Sequence, residues 1–109
     1  MGTIGTGPEG NGRERREDER AGVSLEAWWE SLSGRQQARV SDLSMGGCYV
    51  DTTAPVELGA LIVFAIRKPD GSWLELRGRV VTRDPGGFSL AFTYLTDEEQ
   101  QELRLLGAI

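Results

Sequence analysis

The 109-residue chain contains no histidine and a single cysteine, Cys48. A disulfide within the chain is excluded, and metal sites or nucleophile–base pairs built on His or clustered Cys lack their parts. Lysine is nearly absent as well, since eleven of the twelve basic residues are Arg and only Lys68 is Lys. No apolar run approaches the roughly 20 residues of a membrane-spanning helix. The N-terminus also lacks the charged-then-apolar pattern of a signal peptide, so neither membrane insertion nor secretion is expected. Cytoplasmic residence is the expectation these absences leave. Basic charge is too scarce for DNA, RNA or a polybasic membrane contact, with 17 acidic against 12 basic residues and a net charge of −5. The bias to Arg has its own meaning, because a planar guanidinium fork suits bidentate contact with phosphate and guanine.

What is present divides the chain. Met1 to Gly12 holds five Gly and almost no large apolar residue, which predicts a flexible tail ahead of one small domain over residues 13–109. Arg13-Glu14-Arg15-Arg16-Glu17-Asp18-Glu19-Arg20 mixes both charges with no apolar residue. Taken alone it reads as a solvated linker or as the start of a charged helix. From Val23 the period becomes two: Val23, Leu25, Ala27 and Trp29 alternate with Ser24, Glu26, Trp28 and Glu30, the pattern of a half-buried strand with Trp28 outside. A second strand is expected over Gln37 to Leu43, after the turn signal Ser31-Leu32-Ser33-Gly34.

Further strands follow the same logic. Leu61 to Ile66 is a short continuous apolar run, predicting a strand buried on both sides. Lys68-Pro69-Asp70-Gly71 predicts a hairpin turn, with Pro presetting φ and Asp-Gly suiting positive φ. In Trp73 to Arg83 the residues Leu74, Leu76, Gly78, Val80 and Thr82 share one face. Asp84-Pro85-Gly86-Gly87 turns the chain again, and Phe88, Leu90 and Phe92 mark a last strand. Thr96-Asp97-Glu98-Glu99 is a capping box that opens the one helix, whose apolar face is Leu103 and Leu106. Six short strands and a terminal helix predict an all-β fold, a small six-stranded antiparallel β-barrel with the C-terminal α-helix over one opening.

The central stretch is Val40-Ser41-Asp42-Leu43-Ser44-Met45-Gly46-Gly47-Cys48-Tyr49-Val50. A period of two places Asp42 and Ser44 on one face and Leu43 on the other. Gly46 and Gly47 are free to take positive φ or to admit a close neighbour. These residues alone leave two readings open. In one, Asp42 and Ser44 bond their own turn; in the other they present a carboxylate and a hydroxyl to a ligand.

Arg16-x-x-x-Arg20, preceded by Arg15, and Asp42-x-Ser44-x-x-Gly47, in this order on a small barrel, resemble the two motifs of the PilZ domain family. The resemblance runs from Arg15 to Leu106. It implies a bacterial receptor for the second messenger cyclic di-GMP, with Arg15, Arg16, Arg20, Asp42, Ser44 and Gly47 as ligand-binding residues. It also implies a separate protein effector, and no cofactor, metal or catalytic residue. The chemistry of the ligand fits: Arg forks match phosphate oxygens or the guanine O6/N7 edge, and a carboxylate accepts from guanine N–H groups. Glu14, Glu17, Asp18 and Glu19 crowd the arginines where the family more often has neutral residues, which predicts weak, salt-sensitive binding. The alternative is a PilZ-like interaction module, for example in pilus or motility machinery, that has lost nucleotide binding. An enzyme is not expected, because no carboxylate pair stands beside a nucleophile.

Overall fold

The computed structural model describes the backbone of residues 21–108 and the side chains of residues 24–108. The expected tail over 1–12 and the residues Arg15, Arg16 and Arg20 lie outside the described residues. Six strands and one helix follow in order: β1 (Ala21–Ser31), β2 (Gly34–Leu43), β3 (Gly47–Asp51), β4 (Leu61–Arg67), β5 (Trp73–Asp84), β6 (Gly87–Phe92) and α1 (Asp97–Leu105). The strands close into an antiparallel barrel in the order β1-β2-β3-β6-β5-β4, as the alternating pattern predicts. Closure comes from β1 against β4, where Ala27, Trp28 and Trp29 register with Ile66, Ala65 and Phe64.

Turn chemistry sets the hairpins. Between β1 and β2 the Ser31 hydroxyl donates to the Gly34 carbonyl at 2.8 Å and accepts from the Ser33 N–H at 3.1 Å. Between β4 and β5, Asp70 Oδ1 accepts from the Ser72 backbone N–H at 2.9 Å and from its hydroxyl at 2.6 Å. These two bonds hold the Asp70 carboxyl below its ordinary range. The φ of +91° at Gly71 supplies the left-handed corner.

Inward side chains fill the barrel. Trp29, Val40, Val50, Phe64, Leu76 and Phe88 are all essentially inaccessible, and Trp29 meets Phe88 edge-on with ring centroids 5.1 Å apart. Cys48 is a buried strand residue of the same core. The capping box forms as expected: Thr96 Oγ1 accepts from the Glu99 N–H at 3.0 Å and Glu99 Oε1 accepts from the Thr96 N–H at 3.0 Å. Leu103 and Leu106 carry the helix into the core. Lys68 to Glu102 at 3.2 Å and Arg77 to Glu99 at 3.8 Å tie it to the end of β4 and to β5.

Two expectations are corrected. Strand β4 is not buried on both sides: Ile62, Phe64 and Ile66 point inward, but Leu61 is 65% and Val63 36% exposed. A barrel this small is a single layer, and among the described residues nothing covers Leu61 and Val63, although Ala65 on the same face is buried. Thr82 does not share the inner face with Val80. The β5–β6 register shifts between Val80 and Thr82, and this bulge turns Thr82 outward to meet the Ser89 hydroxyl.

Candidate functional site

The penultimate residue of strand β2 is unusual. Asp42 has φ of +50°, and it alone among the described non-glycine residues is in the left-handed region. Asp tolerates this conformation better than most residues, because its short polar side chain can bond locally. The strand therefore stops alternating there, and Asp42 and Ser44 do not share a strand face. Asp42 remains exposed while Leu43, next to it, is fully buried.

Ser44 then closes the turn. Its N–H donates to the Gly47 carbonyl at 2.9 Å, and its hydroxyl donates to the same carbonyl at 3.2 Å. The Ser44 hydroxyl oxygen in turn accepts from the N–H groups of Gly46 and Gly47 at 3.3 and 3.2 Å. A hydroxyl has one proton and two lone pairs, and in this turn all three are directed to the loop's own backbone. The Ser44 hydroxyl thus makes the bonds that the turn-forming reading expects.

Neither Gly46 nor Gly47 adopts positive φ. Gly47 is needed for space: a Cβ there would fall 2.0 Å from the Leu90 carbonyl oxygen of β6. The close neighbour is the chain itself. A Cβ on Gly46 would meet nothing within 4 Å.

The start of β1 reaches this turn. Ala21 registers with Leu43, so the residue that follows Arg20 stands opposite the middle of Asp42-Leu43-Ser44. Asp42, Ser44 and Gly47 of the second motif thus stand together where β2 turns into β3, beside the start of β1.

On the outer face beside the turn, the structure adds side chains that the motifs did not name. Arg39 donates from Nε to the Ser24 hydroxyl and from Nη2 to the Ser24 carbonyl, both at 2.8 Å, leaving donors of its fork available. Ser41 donates to Asp51 at 3.3 Å. Tyr49 reaches past Gly87 to donate to Asp84 Oδ1 at 2.8 Å. Burial first, then the bond to Asp84, push the Tyr49 phenol up to about 12, and the bond from Tyr49 lowers the Asp84 carboxyl. The signal for these residues was the period of two in Gln37 to Ser41, which puts Arg39 and Ser41 on the outer face.

The two tryptophans of the outer face, half-buried Trp28 and exposed Trp73, are grouped elsewhere. Trp28 and Trp73 lie 6.4 Å apart, with the Arg35 guanidinium 3.8 Å above Trp28 and that of Arg67 5.4 Å from Trp73. Trp28 registers with Gln37 on β2, five residues before Asp42. This is surface packing on the barrel wall, as expected for Trp73, while Trp29 belongs to the core.

Residues 14–107 match the PilZ domain family. No relative among curated proteins matches. Solved structures share the fold. A PilZ domain of CeSA from a cellulose-synthesizing bacterium is 23% identical, with a TM-score of 0.62 over 80% of this chain and 92% of that one. The Bacillus subtilis inhibitor of motility MotI/DgrA is 18% identical, with a TM-score of 0.66; the match covers 80% of this chain and 46% of that longer one. A Legionella protein, Lpg0364, is 17% identical, with a TM-score of 0.50 over 80% of this chain and 87% of that one.

Proposed function

The chain belongs to the PilZ domain family, and we propose that it is a non-catalytic receptor for cyclic di-GMP that passes the signal to a protein partner. The observation that carries this reading is the register of Ala21 with Leu43. It sets the residue that directly follows Arg20 beside the Asp42 turn, which supports reading the two motifs as parts of one site.

Arg16 and Arg20 hold phosphate oxygens or the guanine O6/N7 edge through their forks, and Arg15 extends the basic contact. Asp42 accepts from guanine N–H groups, its side chain aimed by the left-handed backbone. Ser44 and Gly47 act one step back: the hydroxyl fixes the turn, and the absent Cβ lets the turn lie against β6. Arg39, held on Ser24 beside this turn, is a further donor toward a phosphate.

Calorimetry with cyclic di-GMP tests the assignment. Arg16→Ala and Asp42→Gly should each weaken binding by about 1–3 kcal/mol, the range of a good bidentate base contact. Glycine is the right replacement at Asp42, because it accepts φ of +50° without strain and removes only the carboxylate. Parent-like binding by both variants would remove the site assignment. Glu17, Asp18 and Glu19 favour the second reading, a module without nucleotide binding. Under the receptor reading, affinity falls strongly as salt rises from low to physiological, since the contacts are charge pairs in water. Absence of binding at low salt selects the second reading.

A further inference from the structure

The β1–β4 seam that closes the barrel is short. Its registered pairs run from Ala27–Trp29 against Phe64–Ile66, yet β1 continues to Ser31 and β4 begins at Leu61. Beyond Trp29 and Phe64 the two strands part, and among the described residues no strand pairs with the edges that Glu30–Ser31 and Leu61–Val63 turn toward each other. A cleft of about 530 Å³ opens at this split, at the end of β1 remote from Asp42.

Its lining has three properties. Leu32, Leu61, Ile62, Pro55 and Val56 make it apolar, and Leu32 and Leu61 are largely exposed to water. Trp29 forms part of the wall, and its buried indole N–H has no acceptor among the described residues. Leaving such a donor unpaired is costly in a folded protein and marks a place where an acceptor is wanted. Glu57 on the wall has no ion-pair partner among the described residues, while Arg83 is engaged at the Val56 carbonyl at 2.7 Å.

We propose that this split seam is the docking site for an extended peptide segment of a partner protein, apolar at its centre and flanked by a basic residue. Parted strand edges offer the main-chain bonding that an added strand uses, and the apolar walls take its alternate side chains. A Lys or Arg of the entering segment complements Glu57 on the wall, and the buried Trp29 beside it reports on its arrival. The proposal gives a place to the protein partner of the receptor reading, but it stands on the seam and not on the nucleotide.

The test is an NMR titration of the full chain without nucleotide. The probe is an end-capped peptide of alternating Val and Thr with one Lys at each end. Trp28→Phe and Trp73→Phe, both on the outer wall, assign the Trp29 indole signal by elimination. The expected result is a shift of that signal together with the amides of Glu30, Ser31 and Leu61 to Val63. Leu61→Asp should abolish binding with the spectrum of the fold retained, and Glu57→Lys should weaken it about twofold to fivefold. The same peptide with methylated backbone nitrogens should not bind. No shifts up to about 1 mM peptide, shifts centred on Asp42 to Gly47, or equal binding of the methylated control would each overturn the proposal. Because no nucleotide is present, none of these results bears on cyclic di-GMP binding, and a failed nucleotide titration leaves this test intact.

Discussion

Gly46 and Gly47 look alike in the sequence, and both are marked by the same polar turn, yet the structure separates them. At Gly47 the backbone of β6 occupies the place of a side chain, whereas Gly46 faces open space. Gly47→Ala must push β3 away from Leu90 and should destabilise the fold by about 1–3 kcal/mol, as overpacking does. Gly46→Ala should stay within about 0.5 kcal/mol of the parent, as open surface positions do. Urea unfolding of the two variants checks this; equal stabilities would mean that the contact between Gly47 and β6 is misplaced. The distinction is not legible in the sequence because it depends on β6, more than forty residues downstream. Asp42 hides its role in the same way, since nothing in an alternating strand pattern announces that one member leaves the strand for left-handed backbone.

Elements were read where the signal is local. Hairpin turns, the period of two and the capping box all act within a few residues; the turns and the box appear as expected, and the period holds except at Asp42 and at the bulge in β5. What escaped were properties of pairing: the bulge that turns Thr82 outward, the exposed outer face of β4, and the incomplete β1–β4 seam all depend on a strand far away in the chain. The link from Tyr49 on β3 to Asp84 on β5, across β6 at Gly87, is another such feature, and it carries a pH signature. The Asp84 carboxyl is lowered in the folded state, so its contribution is present at neutral pH and is lost as pH falls through the acid range below the ordinary Asp value. The Tyr49 phenol is raised to about 12, so its contribution is complete below about 10 and disappears as pH rises through 12. Tyr49→Phe should therefore lower Tm most on the plateau between these limits, and its deficit relative to the parent should shrink toward both extremes. Melting curves across the pH range test this. A deficit that does not change with pH would mean that Tyr49 acts by packing alone.

For the whole molecule, one core joins all six strands and the helix, but the joints between strands are unequal. Strands β1 and β2 form a long local hairpin, registered from Ser24–Ser31 with Gly34–Ser41 and again at Ala21 with Leu43. On one side this hairpin meets β4 through Ala27–Trp29 only, and on the other it meets β3 through Arg39–Ser41 only. The β4–β5 pairing, by contrast, runs the full length of β4 from Leu61 to Arg67. Opening the hairpin as a unit breaks two short ladders and exposes Trp29 and Val40, while the sheet of β4, β5, β6 and β3 keeps its own pairing. Proteins open in such cooperative units at free energies below that of global unfolding. Native-state hydrogen exchange in increasing denaturant should accordingly show the amides of β1 and β2 merging into one opening of lower free energy. Those of β5 and β6 should exchange only with global unfolding. Uniform protection across all six strands would mean that the barrel behaves as a single closed unit, and that the three-residue seams are as strong as the long ladders beside them.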